Sequence, residues 1–192
     1  MPVTHTPTQA LMPTIKLFGR TFEQYITASE IQQRVNELAK EINRDFAGKN
    51  PLMIVVLNGA FIFASDLLRR LNCQPEIQFI RISTYGNSMS SSQTAQIMLG
   101  LEMDVENRDV IIIEDIIDTG YTTDFFIDHL SHQNPSSVHL ATLLFKPDNF
   151  VRTQKPRYVG FEISPEFVVG YGMDYAQHGR ELPDIYRLQG AE

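Results

Sequence analysis

The amino-acid sequence predicts an α/β fold, with a mostly parallel central sheet flanked by helices. Two observations lead to this prediction. Short apolar segments typical of strands alternate along the chain with segments whose apolar residues have helical spacing. One of the strand segments, residues 110–113, is a continuous run of β-branched residues, which is typical of a strand buried on both faces.

The first long element is a helix over residues 31–46. Its apolar side chains recur with helical spacing, Ser29 and Gln32 form a capping-box pattern at its start, and Gly48 ends it. The remaining predicted elements are a strand at residues 52–57, a helix at 60–71, strands at 77–83 and 110–113, a helix at 122–130, and strands at 138–144 and 158–163.

Two segments fall outside this alternation. Residues 1–14 are rich in Thr and Pro, and we expect them to form a tail without fixed structure. Residues 84–94 are polar and serine-rich, which predicts a mobile loop. Because no repeat or linker interrupts the rest of the chain, residues 15–192 are expected to form a single domain.

The composition narrows the possible partners. The formal net charge of −7 argues against a broad nucleic-acid-binding surface. The sequence contains neither an apolar stretch long enough to cross a bilayer nor the pattern of a secretory signal peptide at its start, so we expect no membrane partner. A single cysteine, Cys73, is typical of a protein of the reducing cytoplasm.

The most informative segment follows the β-branched strand. Glu114 and Asp115 come directly after residues 110–113, and Asp118 stands three residues later, before a turn of small residues that opens a helix. Ligands of open α/β sheets bind at the carboxyl ends of strands, and the N–H groups of a helix start bind phosphate. The sequence therefore predicts a phosphate site at the turn, with Glu114 and Asp115 meeting ribose hydroxyls or a metal ion.

This segment resembles the phosphoribosyl pyrophosphate motif of the type I phosphoribosyltransferases. The resemblance implies that Glu114 and Asp115 bind the ribose and that the loop after them binds the 5′-phosphate. The residues it assigns to that phosphate are Asp118, Thr119, Gly120, Tyr121, Thr122 and Thr123.

Other segments resemble, in matching order, the hypoxanthine-guanine branch of that family. Residues 56–68 are similar to its pyrophosphate loop and following helix, and residues 83–87 to the start of its catalytic loop. Residues 143–147 are similar to the strand end that carries a base-recognising lysine, and segments within residues 161–183 to its hood. The implied architecture is the type I phosphoribosyltransferase fold with a small hood made by N-terminal and C-terminal elements.

The resemblance also implies how a purine base is bound and activated. Lys146 donates to O6 of a 6-oxopurine, which adenine lacks. Phe167 stacks on the ring, and backbone groups near Val168 contact its other edge. Asp118 accepts the proton that the ring nitrogen loses, as a general base.

A further set of residues is implied to bind pyrophosphate and Mg²⁺. The backbone of Asn58 and Gly59 and the side chain of Arg180 bind pyrophosphate, and Asp174 contacts Mg²⁺ through water, with Glu114 and Asp115 as further metal contacts. Members of the family often carry a basic residue in place of Asn58 and a cis peptide before it. The catalytic loop begins with Thr84 and Tyr85.

The implied activity is purine salvage. The protein would join hypoxanthine or guanine to the ribose 5-phosphate of phosphoribosyl pyrophosphate with Mg²⁺ as cofactor, as a homodimer or homotetramer. A xanthine-preferring enzyme stays open, because xanthine also carries O6. A non-catalytic regulator with the same fold is a further alternative, which would need a basic nucleic-acid-binding surface.

Overall fold

The computed structural model of the chain describes residues 3–4, 13–85, 94–99 and 104–190, and the side chains of residues 13–82 and 104–190. Within these ranges it contains strands and three helices that alternate through the middle of the chain, as the sequence predicts. The strands are β1 (Val3–Thr4), β2 (Thr14–Leu17), β3 (Arg20–Ile26), β4 (Leu52–Leu57), β5 (Glu76–Tyr85), β6 (Thr94–Leu99), β7 (Asp109–Ile117), β8 (Ser137–Phe145), β9 (Tyr158–Glu162), β10 (Val168–Val169) and β11 (Ile185–Leu188), and the helices are α1 (Ala28–Asp45), α2 (Phe61–Leu68) and α3 (Tyr121–Ser131).

The larger sheet confirms the predicted fold class. Its seven strands lie in the order β1-β9-β8-β7-β4-β5-β6, and every neighbouring pair is parallel except the last, β5 with β6. Two apolar clusters cover its two faces. Helices α1 and α2 belong to one cluster and α3 to the other. Each fully buried Ile or Leu in these layers contributes about 1.5–3 kcal/mol to folding.

The smaller sheet forms the hood and was only partly predicted. Its four antiparallel strands lie in the order β10-β11-β3-β2, so both ends of the chain contribute to it. Phe22, Val169 and Tyr186 are its buried apolar centre. The sequence pattern did not reveal β2, β3 or β11: β2 and β11 have only four residues each, and the burial of β3 does not alternate strictly.

The predicted start of the first helix needs correction. Helix α1 is capped by Thr27, whose hydroxyl accepts from the N–H of Glu30 while the Glu30 carboxylate accepts from the N–H of Thr27, so the capping box is not the predicted Ser29–Gln32 pair. Thr27 has the extended backbone (φ −76°, ψ 154°) that a cap requires, whereas Ser29 is already helical.

The predicted catalytic loop is shorter at its start than the sequence indicates. Thr84 and Tyr85 belong to β5, where they pair with Ala95 and Thr94 of β6. Antiparallel pairing with β6 therefore extends the strand past the predicted end at residue 83. Residues 86–93 of the predicted loop lie outside the described residues.

The expected tail includes two ordered segments. Val3–Thr4 pair in parallel with β9, and Thr14 begins β2; the rest of residues 1–12 lies outside the described part of the chain. Among the described residues, no helix is both long and apolar enough to cross a membrane.

Candidate active site

The predicted site residues gather at the carboxyl ends of three adjacent strands. Asn58 and Gly59 follow β4, Asp118 follows β7, and Lys146 follows β8, and these strands are neighbours in the sheet. The peptide between Leu57 and Asn58, which the sequence left open, is cis. Ligand binding at this edge is the general rule for open α/β sheets.

Glu114 and Asp115 lie within β7, whereas the sequence predicted them just beyond its end. The parallel ladder with β8 continues past them, with Glu114 opposite Thr142 and Ile116 opposite Leu144. Successive side chains of a strand point to opposite faces. Glu114 therefore lines the cavity beside the phosphate loop, and Asp115 lies against Gly59 on the other side.

Both carboxyl groups are costly to ionise in this environment. Burial raises the pKa of Glu114 well above its usual range, and the neighbouring charge of Asp115 raises it further. Burial also raises the pKa of Asp115 to about 6, although backbone N–H groups and Arg180 oppose that shift. A sugar hydroxyl or a cation would relieve the cost, because either compensates the buried negative charge.

Residues 118–123, the predicted phosphate loop, form the turn that opens α3. Gly120 caps α3 in the left-handed region (φ 84°), and its carbonyl accepts hydrogen bonds from the Thr123 hydroxyl at 2.9 Å and the Asp124 N–H at 2.9 Å. The N–H groups of the first turn have no partner within a helix and point toward its start. A cavity of about 180 Å³ lies there, lined by Val56, Glu114, Ile116, Ile117, Asp118, Thr119, Gly120, Tyr121, Thr122 and Thr123.

Tyr121 lines this cavity and also contacts the chain segment that follows β8. Its ring is half-exposed and lies under the guanidinium of Arg152, whose carbon is 3.6 Å from the ring centre. Arg152 also approaches the carboxylate of Asp124 at 3.4 Å. These contacts connect the first turn of α3 to the chain segment between β8 and β9.

The structure joins Asp118 directly to Lys146. The Lys146 ammonium donates to Oδ2 of Asp118 at 2.8 Å, and the amide of Asn149 donates to Oδ1 at 2.7 Å. The Lys146 side chain is 10% exposed and that of Asp118 is 42% exposed, so the carboxylate is open to a ligand. Sequence reasoning missed Asn149: Pro147, Asp148 and Asn149 indicate a turn, but nothing in the pattern indicates its partner.

The residues predicted to bind pyrophosphate form a second cluster around Gly59. A Cβ atom added to Gly59 would lie 1.7 Å from Oδ2 of Asp115, and one added to Gly172 would lie 2.1 Å from the carbonyl oxygen of Gly59. Gly172 has φ +103°, which only glycine adopts without strain. The Gly59 backbone therefore meets the backbone near Gly172 on one side and the Asp115 carboxylate on the other.

Arg180 and Asp174 are paired with each other in this cluster. The guanidinium of Arg180 contacts the Asp174 carboxylate at 2.7 Å and donates to the carbonyl oxygen of Gly172 at 2.8 Å. The other oxygen of Asp174 accepts from the N–H of Gln177 at 2.8 Å. Two residues that were assigned separately to pyrophosphate and Mg²⁺ thus form one unit.

This geometry agrees with comparisons against known proteins. The model of the phosphoribosyl transferase domain family matches residues 22–176. The chain belongs to that family. The hypoxanthine-guanine phosphoribosyltransferase of Dictyostelium discoideum is 40% identical over 171 residues, which cover 87% of this chain and 95% of that protein.

Two further relatives are similar in sequence or structure. The bifunctional protein TilS/HprT of Listeria innocua is 44% identical over 160 residues, and the match spans 83% of this chain but only 25% of that longer protein. The crystal structure of a hypoxanthine phosphoribosyltransferase from Staphylococcus aureus has a TM-score of 0.83 and 36% identity, covering 87% of this chain and 91% of the other.

The hood presents the aromatic residue expected to stack on a base. Phe167 is 45% exposed and packs against Phe22 and Tyr175, with ring centres 6.3 Å and 5.7 Å away. Val168 is buried in β10, where it pairs with Arg187 of β11. The backbone at Val168 is thus held by the strand pair, while the Phe167 side chain remains partly exposed.

The predicted metal residues do not form a closed metal centre. Among the described residues, no group of three or more His, Cys, Asp or Glu side chains is arranged to hold a metal ion. Arg180 occupies one oxygen of Asp174, and Asp115 faces Gly59. The carboxylate oxygens present do fit Mg²⁺, which takes few protein ligands and binds mainly through water and substrate phosphates.

Proposed function

We propose that this protein transfers the 5-phosphoribosyl group of phosphoribosyl pyrophosphate to N9 of hypoxanthine or guanine. The products are inosine or guanosine monophosphate and pyrophosphate, so the reaction is purine salvage. The contact between Lys146 and Asp118 beside the phosphate loop carries this proposal, because it combines an O6 donor and a proton acceptor. The names of the similar proteins support the same activity.

The base subsite follows from that pair. The ammonium of Lys146 has three N–H donors, so it can bind Asp118 and the O6 of a purine together. Adenine carries an amino group at this position and would present a donor to a donor. Asp118 accepts the ring proton as the bond to C1′ forms, and Phe167 provides a face on which the purine stacks.

The sugar and phosphate subsites lie on the other side of Asp118. The start of α3 and the hydroxyl groups around Gly120 bind the 5′-phosphate. Glu114 and Asp115 accept hydrogen bonds from the ribose hydroxyls. Arg180 and the backbone N–H groups at Gly59 bind the pyrophosphate.

Mg²⁺ is proposed as the cofactor that arrives with phosphoribosyl pyrophosphate. Glu114, Asp115 and Asp174 would hold it, in part through water, and the ion would neutralise charge that develops on the leaving pyrophosphate. The raised pKa values of Glu114 and Asp115 support a cation or sugar at this position. We propose that Thr84 and Tyr85 lead into a loop that covers the site and excludes water.

The protein is further proposed to act in the cytoplasm as a homodimer or homotetramer. Ile77 and Phe79 lie on the same face of β5 and are 43% and 44% exposed, and such apolar groups favour association of subunits. A xanthine preference has no specific contact among the described residues in its favour, and the formal net charge of −7 argues against the basic surface that a regulator would require.

Product formation with separate bases tests the proposal. Purified protein, Mg²⁺ and phosphoribosyl pyrophosphate would be incubated with hypoxanthine, guanine, xanthine or adenine, with Asp118→Asn and Lys146→Ala as comparison variants. We expect inosine and guanosine monophosphate from the wild type, no product from adenine, and impaired variants. Tight binding of phosphoribosyl pyrophosphate without product from any base would leave the regulator as the better explanation.

A further inference from the structure

The chain segment that follows β8 is attached to both sides of Asp118. We call residues 146–151 the strap. The N–H of Lys146 donates to the carbonyl oxygen of Ile117 at 2.9 Å, and the N–H of Val151 donates to that of Thr119 at 3.4 Å. Asp118 therefore lies between the two main-chain attachment points of the strap.

The strap has its own internal structure, which fixes the position of Asn149. The N–H of Asn149 donates to the carbonyl oxygen of Lys146 at 3.2 Å, and the N–H of Phe150 donates to that of Pro147 at 3.3 Å, so the strap is a tight turn. The ring of Phe150 packs edge-on against Phe145, with centres 5.2 Å apart. The side chain of Asn149 is thus supported from both ends of the turn.

The strap binds the two oxygens of the Asp118 carboxylate through two different donors. Lys146 donates to Oδ2 and Asn149 to Oδ1. A carboxylate on a half-exposed side chain otherwise turns freely about its last torsion, which has a broad energy profile. Donors on both oxygens fix its plane.

We propose that Asn149 is a positioning residue for the general base Asp118. This inference rests on the proposed function. When a purine binds, the Lys146 ammonium is shared with O6 of the base, whereas the Asn149 amide keeps Asp118 as its acceptor. Asn149 therefore holds the carboxylate plane toward the ring nitrogen during proton transfer, without touching the base itself.

The test replaces the amide donor without changing the size of the side chain. Asn149→Leu is nearly isosteric and donates no hydrogen bond, and Asn149→Gln keeps an amide on a longer chain. Asp148→Ala, on the exposed side of the same turn, is the matched control. All three would be assayed with hypoxanthine, phosphoribosyl pyrophosphate and Mg²⁺, together with thermal unfolding.

We expect Asn149→Leu to lower kcat by about 10- to 100-fold, since misplacing a reacting group by about 1 Å costs roughly that much. The KM for both substrates and the unfolding temperature should stay near wild type, Asn149→Gln should recover part of the rate, and Asp148→Ala should match the wild type. In an Asp118→Ala background, Asn149→Leu should have no further effect, because its partner is gone.

Two outcomes would overturn the inference while the proposed function stands. One is an active wild type whose kcat is unchanged by Asn149→Leu. The other is an equal loss of kcat from Asn149→Leu with or without the Asp118 carboxylate, which would mean that Asn149 acts elsewhere. A wild type that forms no nucleotide from any 6-oxopurine refutes the proposed function instead, so the two failures are distinguishable.

Discussion

Replacing Gly59 with alanine is expected to damage the active site without unfolding the protein. The added Cβ would lie 1.7 Å from Oδ2 and 2.4 Å from Cγ of Asp115, whereas real Cβ atoms are essentially never closer than 3.0 Å to another heavy atom. The Asp115 carboxylate must therefore move by at least about 1.3 Å, or the loop after β4 must move instead.

The size of that displacement sets the expected loss of activity. A shift of about 1 Å in a positioned group can lower a rate roughly 100-fold. Both Asp115 and the backbone at Gly59 belong to the proposed sugar and pyrophosphate subsites. We therefore expect kcat/KM for phosphoribosyl pyrophosphate to fall about 100-fold in Gly59→Ala, with a stability loss of about 1–3 kcal/mol from overpacking.

Steady-state kinetics would test the expected loss of activity in Gly59→Ala, and urea unfolding would test the expected loss of stability. Gly48→Ala is a suitable control, because Gly48 has φ +73° and nothing within 4 Å of an added Cβ. That variant should lose about 1 kcal/mol of stability from backbone strain and keep wild-type kinetics. A Gly59→Ala protein whose kcat/KM stays within about threefold of wild type would refute the reasoning.

Three further predictions follow from contacts in the site and its support. Lys146→Ala should lower kcat/KM for hypoxanthine about 10- to 100-fold in steady-state assays, because it removes the O6 donor and one partner of Asp118; equal activity would exclude that role. Tyr171→Phe should reduce the free energy of unfolding at pH 7 by about 1–2 kcal/mol in urea titrations, since the Tyr171 hydroxyl donates to the buried Asp66 carboxylate at 2.6 Å. Burial opposes ionisation of Asp66, but hydrogen bonds from Tyr171 and other donors outweigh it and lower the pKa of Asp66 below the usual 3.8. The stability difference between wild type and Tyr171→Phe should therefore persist above about pH 4 and disappear as pH falls through the folded-state pKa of Asp66. Glu114→Gln should raise the melting temperature of the unliganded protein by at least about 2 °C at pH 8 and less at pH 5, since the raised pKa of Glu114 means that ionisation opposes folding as pH rises; the same gain at both pH values would contradict this.

The central sheet could be predicted because its signals are local. The β-branched run at residues 110–113 indicates a buried strand, and the acidic residues after it indicate the edge where ligands bind. The end of that strand was misplaced because β7 continues by pairing with β8, and polar residues such as Glu114 lie inside the ladder. A pattern of hydrophobic residues within one segment does not show where that segment pairs with a neighbouring strand.

The hood strands could not be predicted for the same reason. Phe22 of β3 pairs with Leu188 of β11, although most of the chain separates them. β2 and β11 are short and partly exposed, and β3 does not alternate strictly between buried and exposed residues, so none of the three has a clear strand periodicity. Their stability comes from contacts between the two ends of the chain.

The sequence predicted candidate residues for the site, and the structure adds the contacts between them. Asp118 and Lys146 were recognised separately, and their ion pair depends on the geometry of adjacent strands. The pair of Arg180 and Asp174 depends on the left-handed glycine backbone around Gly172, which sequence spacing does not specify. Asn149 carried no signal beyond its place in a turn.

Because the hood sheet combines strands from both ends of the chain, it cannot be completed until the C-terminal strand has been synthesised on the ribosome. Chains are made from the N-terminus at roughly 5–20 residues per second, so β3 is complete long before β11 exists. Until residues 185–188 have been made, one edge of β3 is open to pairing with another nascent chain. The phosphate loop can form earlier, so the hood sheet beside Phe167 is the last part of the fold to mature.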